Sequence, residues 1–285
     1  MTRAAPVPAP VLPAPVPLRR RRRPNLAAWA LGAYVVLFLA FIVAPIAAVV
    51  LVSFSSASFI TFPIPGYTLR WYWRILEYRP FLEAMWVSIE VALASTVLAA
   101  MLGVPAALAL ARSRSAFAAV IANLLLAPIT VPAIVLGLAL LYFLASLSLG
   151  LSLTALVIAH TVAGIPYVTR TVLAVYRALP PDLEEASAVL GATRWQTFRY
   201  TTLPLVRPGV FAGGLFAVLT SLDNLPLSFF FGSATTNTLP VVMLSYMENQ
   251  FDPSIAAVST VQMLIAIVAL VVTDRVYGIE KLTAA

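Results

Sequence analysis

The sequence predicts an all-α integral membrane protein with six transmembrane helices. Of its 285 residues, 61% are hydrophobic and only 10% are charged, whereas roughly a quarter are charged in an average soluble domain. Six apolar segments are each near the ~20 residues that a membrane-spanning helix needs. The basic residues also concentrate in alternate connections between these segments, as the positive-inside rule requires.

The N-terminal segment is unsuited to forming a packed element. Residues 1–25 are rich in Ala and Pro and contain the basic run Arg19–Arg23, so we expect a disordered, polybasic cytoplasmic tail. The apolar run Leu26–Val52 follows. A signal-peptide core is only ~7–15 residues long, whereas this run has 27 residues. We therefore expect an uncleaved first membrane helix.

Five further apolar segments complete the predicted set of spans. They are Val87–Ala111, Phe117–Leu144, Leu151–Thr169, Pro208–Phe231 and Ile255–Val272. Several contain prolines, which bundled membrane helices accept because neighbouring groups satisfy the freed backbone atoms. With six spans and a cytoplasmic N-terminus, both termini are cytoplasmic. Fifteen of the 18 basic residues then lie inside, and only Arg70, Arg74 and Arg79 lie outside.

The predicted external loop, residues 53–86, contains the aromatic and basic segment Tyr67–Leu76. Such residues settle in the headgroup region, which favours a short helix lying along the membrane surface. The same segment could also contact an external partner, and the two interpretations are compatible.

The predicted cytoplasmic loop, residues 177–207, begins with a helix stop. Pro180 and Pro181 end the fourth span. Asp182 is predicted to cap a new helix, with Glu185 three residues later completing a capping-box arrangement.

A second short helix is predicted in the same loop. Gly191 stands where a left-handed C-terminal cap would lie. The next helix is expected over about Thr193–Tyr200, ending before Leu203-Pro204. The loop is therefore predicted to form two short helices that meet at a glycine.

This loop resembles the EAA loop of binding-protein-dependent ABC importer permeases. The matching residues, at the spacing typical of that family, are Glu185, Ala186, Ser187, Gly191, Ala192, Phe198, Leu203 and Pro204. Ser187 replaces the second alanine of the pattern, a change of one small residue for another. The resemblance implies a type I ABC importer permease domain over residues 26–280, with the coupling loop at 179–206.

The resemblance also implies partners and a location. In this family the loop docks onto a cytoplasmic dimer of ABC ATPases, a second permease subunit completes the core, and a periplasmic solute-binding protein delivers the solute. It implies a multi-pass protein of the bacterial inner membrane, surrounded by lipid and without a nucleic-acid partner.

Within the family, the chain looks like the C-type subunit of the spermidine/putrescine branch. The residues that carry this resemblance are Ser221–Asn224, Leu225-Pro226, Phe229-Phe230, Thr238–Pro240, Asp252-Pro253, Ala256-Ala257 and Ser259-Thr260. A polyamine is therefore the first expectation for the solute. The alternative is another small solute, such as an amino acid derivative, an organic anion or a phosphonate.

Three polar residues within the predicted spans are candidates for the solute pathway. Asp223 and Asn224, followed by Pro226, are predicted to break the fifth span. An ionised group at membrane depth costs ~2.5–3.5 kcal/mol on insertion scales, so Asp223 and Glu90 are expected to face a cavity or a partner. Asp223 could equally stabilise the helix break, and Glu90 could be solvated at the interface.

Two further features of the spans have structural interpretations. His160 lies within the fourth span and is expected to pack, or to hydrogen-bond a carbonyl freed by the kink at Pro166. Gly209 and Gly213 form a small-xxx-small pattern, which predicts close packing within the bundle or between subunits.

Other functional classes lack their sequence signatures. A nucleotide-binding P-loop needs a lysine after its glycines, and the single lysine of the sequence is Lys281. The chain has no cysteine, and we expect no cofactor, no metal site and no enzymatic activity.

The main alternative is an ion-coupled secondary transporter, which would typically show inverted repeats with paired intramembrane acids.

Overall fold

The computed structural model describes residues 26–113, 115–180, 182–233 and 235–277, and within these ranges the regular secondary structure is helical. The helices are α1 (Leu26–Ser53), α2 (Arg70–Glu77), α3 (Arg79–Arg112), α4 (Ala116–Thr130), α5 (Ala133–Ser146), α6 (Leu153–Ala178), α7 (Asp182–Val189), α8 (Arg194–Thr197), α9 (Leu203–Leu222), α10 (Leu225–Phe229), α11 (Leu239–Asn249) and α12 (Ser254–Tyr277). A π-helical turn, Phe198–Thr202, joins α8 to α9. The predicted tail at residues 1–25 lies outside the described ranges.

The chain separates into two units at Ala47–Ala48, within α1. The first unit contributes the N-terminal part of α1. Its large apolar side chains, such as Trp29, Phe38 and Phe41, are exposed. A helix that is apolar on every side is typical of a membrane span.

Five helical stretches among the described residues are long and apolar enough to cross a membrane, and a sixth results if the bent pair α4–α5 is one span. The pair bends by 110°. Val131 has an extended backbone before Pro132, because a residue preceding proline is driven out of the α region. With 15 and 14 residues, the two helices are each only ~21–23 Å long. The apolar segment predicted as one span over Phe117–Leu144 is therefore divided by this bend into two helices.

The core of the second unit consists of α3, α6 and α9, which make the most extensive helix–helix contacts. Glycines allow these backbones to approach. A Cβ atom added at Gly213 of α9 would lie 2.8 Å from the Cα atom of Val168 in α6, and one at Gly209 would lie 3.3 Å from the Cα atom of Val172. The predicted small-xxx-small pattern thus serves packing inside the bundle.

The helix α2 packs on the bundle through Trp71 and Ile75, which are buried in one cluster with residues of α3, α11 and α12. The Trp71 indole donates to the Ser55 carbonyl at 2.7 Å, while Trp73 and Leu76 are exposed. The short helix predicted within Tyr67–Leu76 is confirmed. It has one face on the protein and one face available to its surroundings.

The tight contact at Gly213 can be tested against a neighbouring glycine. We expect Gly213→Ala to reduce the free energy of unfolding by ~1–3 kcal/mol, because the added methyl group meets the backbone of α6. Gly214→Ala is the matched control, since its Cβ would meet only a Thr96 methyl carbon at 3.6 Å. The measurement is the midpoint of thermal unfolding in detergent. Equal midpoints for the two variants would contradict close packing at Gly213.

Candidate functional site: the α7–α8 loop and the helix break

The turn between α7 and α8 has a left-handed residue at its centre. Gly191 has a φ of +84°, and its amide donates to the Ala188 carbonyl at 3.0 Å. The next amide, of Ala192, donates to the Ser187 carbonyl at 3.2 Å. These two bonds form a Schellman motif. A Cβ atom at Gly191 would meet nothing within 4 Å, so the backbone conformation, rather than crowding within the chain, requires glycine here.

The capping box lies on a different helix from the one predicted. Asp182 is the first residue of α7 rather than its cap, and no hydrogen bond joins its carboxylate to Glu185 or to the described backbone. A complete capping box occurs instead at the start of α8, where Thr193 and Gln196 bond each other's backbone amides. The Ser187 hydroxyl lies 3.1 Å from that of Thr197. The residue that departs from the EAA pattern therefore joins the two helices.

The prediction that the second helix ends before Leu203-Pro204 is also wrong. The Leu203 amide donates to the Phe198 carbonyl, five residues back, which is the π-helical pattern. Pro204 follows this turn as the second residue of α9. The result is one helical stretch over Arg194–Leu222, 29 residues long.

The residues of the predicted coupling motif divide between two environments. Glu185, Ala186, Gly191 and Pro204 are exposed, and the Glu185 carboxylate has no side-chain partner among the described residues. Phe198 and Leu203 instead pack against the core cluster of α3, α6 and α9. Ser187 and Ala192 are half-buried. The motif therefore has an outer face and an inner face.

Glu184, which sequence reasoning passed over in favour of Glu185, is the most connected side chain of the loop. Both of its carboxylate oxygens lie 2.7 Å from Nη2 of Arg112, at the end of α3. One oxygen also accepts from the Tyr176 hydroxyl of α6 at 3.0 Å and from the Thr202 hydroxyl at 2.5 Å. In the sequence, the only sign of this ion pair was an acidic residue in the loop and a basic residue at the end of an apolar span, 72 positions earlier.

The electrostatic environment of Glu184 favours its charged form. Partial desolvation raises the pKa of the carboxyl. Hydrogen bonds from Thr202, Arg112 and Tyr176 together lower the pKa by more than desolvation raises it, so the net pKa lies below its usual value. Glu184 thus remains an anion at neutral pH and pairs with the guanidinium of Arg112.

The predicted helix break is confirmed. α9 ends at Leu222 and α10 begins at Leu225. The Asn224 side chain accepts from the Leu227 amide at 3.2 Å and so caps α10. Gln262 of α12 donates to the Leu222 carbonyl at 3.2 Å. The Asn224 side chain is therefore occupied within the chain. Of the two polar residues at the break, Asp223 is the one whose side chain remains available.

His160 stabilises the same break, although by different contacts from those expected. Its Nδ1 atom lies 2.7 Å from the Ser221 hydroxyl in α9, and its Nε2 atom lies 3.0 Å from the Ser228 hydroxyl in α10. The partners are hydroxyl groups rather than a carbonyl freed near Pro166. One buried imidazole therefore joins α6 to both sides of the break.

Asp223, which is exposed, is one of the residues that line an open cavity of about 400 Å³ between α9 and α12. The lining residues are Leu219, Leu222, Asp223, Ser259, Gln262, Met263 and Ala266. Among the described residues, no hydrogen bond or ion pair occupies the Asp223 side chain. Glu90 is exposed on α3 and does not line this cavity. The described residues contain no group of His, Asp and Glu side chains placed to hold a metal ion.

The conformational requirement at Gly191 can be measured directly. We expect Gly191→Ala to accelerate trypsin cleavage after Arg194 by about 5- to 30-fold, because a left-handed non-glycine residue costs ~1–2 kcal/mol. Gly191→Asn is the matched control, since asparagine tolerates this conformation better. Equal cleavage rates for the two variants would rule out the backbone explanation.

Comparison with known proteins places this geometry in a family. Residues 99–279 match the family described as binding-protein-dependent transport system inner membrane component. The chain is 33% identical over 233 residues to the molybdenum transport system permease protein ModB of Mycobacterium tuberculosis, covering 75% of this chain and 87% of that protein. It is 30% identical over 227 residues to the putrescine transport system permease protein PotI of Escherichia coli, covering 77% and 80%.

A third relative and a solved structure extend the comparison. The spermidine/putrescine transport system permease protein PotC of Escherichia coli is 25% identical over 245 residues, covering 86% of this chain and 92% of that protein. A chain of a bacterial ABC transporter involved in the import of alginate has a TM-score of 0.67 at 17% identity, covering 92% of this chain and 99% of that chain. This chain therefore belongs to the binding-protein-dependent transport system inner membrane components, the permease subunits of ABC importers for small solutes.

Proposed function

We propose that the chain moves a cationic solute, with a polyamine as the first candidate, through the cavity at Asp223, driven by ATPases that dock on the α7–α8 loop. The observation that carries the proposal is the continuous helical stretch Arg194–Leu222. Its first residues belong to the exposed loop, and its last residue adjoins Asp223. At 1.5 Å per residue it spans ~43 Å, so one continuous helical element connects the two sites.

The outer face of the loop supports docking of a protein partner. Val189 and Leu190 are 87% and 88% exposed, and Trp195 is 64% exposed. Because the positive-inside distribution assigns this loop to the cytoplasm, lipid does not cover these apolar side chains. An exposed apolar patch rimmed by polar residues marks a protein contact. We assign Glu185 and the Gly191 turn to the same contact.

The remaining partners follow from the family. We propose that residues 26–280 form the permease domain, with loop 179–206 facing a cytoplasmic ATPase dimer. A second permease subunit, a different sibling chain, completes the pathway in the inner membrane. A periplasmic solute-binding protein delivers the solute at the opposite end of the bundle, where α2 is located.

The cavity at Asp223 favours a cationic solute. Its described lining offers one carboxylate, one hydroxyl and one amide, with no basic side chain. Ammonium groups can exchange between such partners without tight binding, which suits a pathway that solute must leave. PotI is named for putrescine transport, and ModB is named for molybdenum transport. An oxyanion would meet the negative charge of Asp223, so we rank a di- or polyamine first and another small solute second.

The docking role of Glu185 is tested by charge reversal. We expect Glu185→Lys to abolish most ATP-dependent uptake and to reduce co-purification of the ATPase, because the substitution alters an exposed residue of the proposed contact. Membrane insertion should be unchanged. Glu83→Lys, an exposed glutamate on α3, is the control. Normal uptake by Glu185→Lys would refute the assignment.

The solute class is tested with the assembled transporter in lipid nanodiscs and its cognate binding protein. We expect putrescine or spermidine to stimulate ATP hydrolysis, and molybdate, sugars and amino acids not to do so. Stimulation by one of these other solutes alone would remove the polyamine assignment and retain the importer.

The contribution of Asp223 is tested in the same assay. We expect Asp223→Asn to lower polyamine uptake up to about fivefold, the upper range for an exposed ion pair. Glu90→Gln, which removes a carboxylate outside the cavity, should have a smaller effect. Uptake by Asp223→Asn at the unaltered rate would exclude the carboxylate from the pathway.

A further inference from the structure

We infer that Glu184 is the positioning residue that joins the α7–α8 loop to α3 and α6, so that displacement of the loop moves these helices. The inference rests on the proposed docking of an ATPase to the loop. Glu184 and Glu185 are adjacent in sequence but have different surroundings. Glu185 is exposed and unpartnered among the described residues, whereas Glu184 is half-buried and contacts three separate elements.

The two halves of the loop are attached to the bundle by different means. α8 continues through the π-helical turn into α9, so a displacement of α8 passes to α9 along one helix. α7 has no such continuation, because α6 ends at Ala178 before α7 begins at Asp182. A side-chain bond is therefore needed to connect α7 firmly to the bundle.

Glu184 provides that bond. Among the described residues, it is the α7 side chain that bonds α3 and α6, through Arg112 and Tyr176. The other bonded side chain of α7, Ser187, reaches only Thr197 of α8. Removing the bonds of Glu184 would leave α7 with its side-chain bond to α8 but with none to α3 or α6 among the described residues.

The geometry also indicates a mutually supporting network rather than a single ion pair. The Arg112 Nε atom donates to the Tyr176 hydroxyl at 2.9 Å, and that hydroxyl donates to Glu184. The carboxylate is 27% exposed and the arginine side chain 56% exposed. An exposed pair alone contributes little to stability, but four side chains that restrain one another can fix the orientation of α7.

The experiment compares Glu184→Gln, Arg112→Gln and the double variant in the complete transporter, with Asp182→Asn as the matched loss of one carboxylate from α7. The readouts are co-purification of the ATPase and the ratio of solute taken up to ATP hydrolysed. We expect both single variants to retain the ATPase and to lower that ratio about three- to tenfold. The double variant should be no worse than either single variant, because one network is removed each time. Asp182→Asn should keep the original ratio.

Several outcomes would contradict the positioning role of Glu184, and each can be distinguished from the others. An unchanged ratio in Glu184→Gln, or losses that add in the double variant, would overturn the positioning role. Loss of both ATPase binding and thermal stability in Glu184→Gln would assign Glu184 a purely structural role. That result would also overturn the positioning role. If Glu184→Gln fails to assemble, Tyr176→Phe decides, because it deletes only the hydroxyl between Arg112 and Glu184 and should lower the ratio. Failure of ATPase docking as a whole is judged separately by Glu185→Lys.

Discussion

The interruption between α9 and α10 sets the main physical constraint on this bundle. Inside an apolar assembly, backbone groups freed by a helix break must find partners within the protein. Asn224 caps α10, and Gln262 satisfies the last carbonyl of α9. His160 joins serines on both sides of the break. With these side chains bonded to the backbone and to the two serines, Asp223 is the one charged residue among the described residues that line the cavity.

The same constraint explains why α9 must be held so closely. A broken helix keeps its shape only if its neighbours restrain it, and Gly209 and Gly213 bring α9 against the backbone of α6. At its other end, α9 continues through the π-helical turn into the exposed α8. The helix is thus packed closely against α6 at these glycines and continuous with the exposed α8, which suits an element that passes a displacement of the loop into the bundle.

The relatives indicate which features vary within the family. The fold is retained at 17% identity in a chain of an alginate importer, and relatives at about 30% identity are named for molybdenum and for putrescine transport. Helix packing therefore tolerates large changes in sequence. Because function resides in sites carried by a common fold, we propose that solute preference depends instead on a few side chains such as Asp223, Ser259 and Gln262.

The sequence by itself determined the helical class, the apolar spans, the break at Asp223–Asn224 and the Gly191 turn, because hydropathy, proline and glycine act locally on the backbone. Only the tertiary structure decided the 110° bend between α4 and α5 and the continuity of α8 with α9. It alone also assigned Glu184 its three partners. Pro132 and the loop residues marked where a helix could bend or end, but not how far it would bend or whether it would continue. The partner Arg112 is 72 positions from Glu184, a separation that a local pattern does not encode.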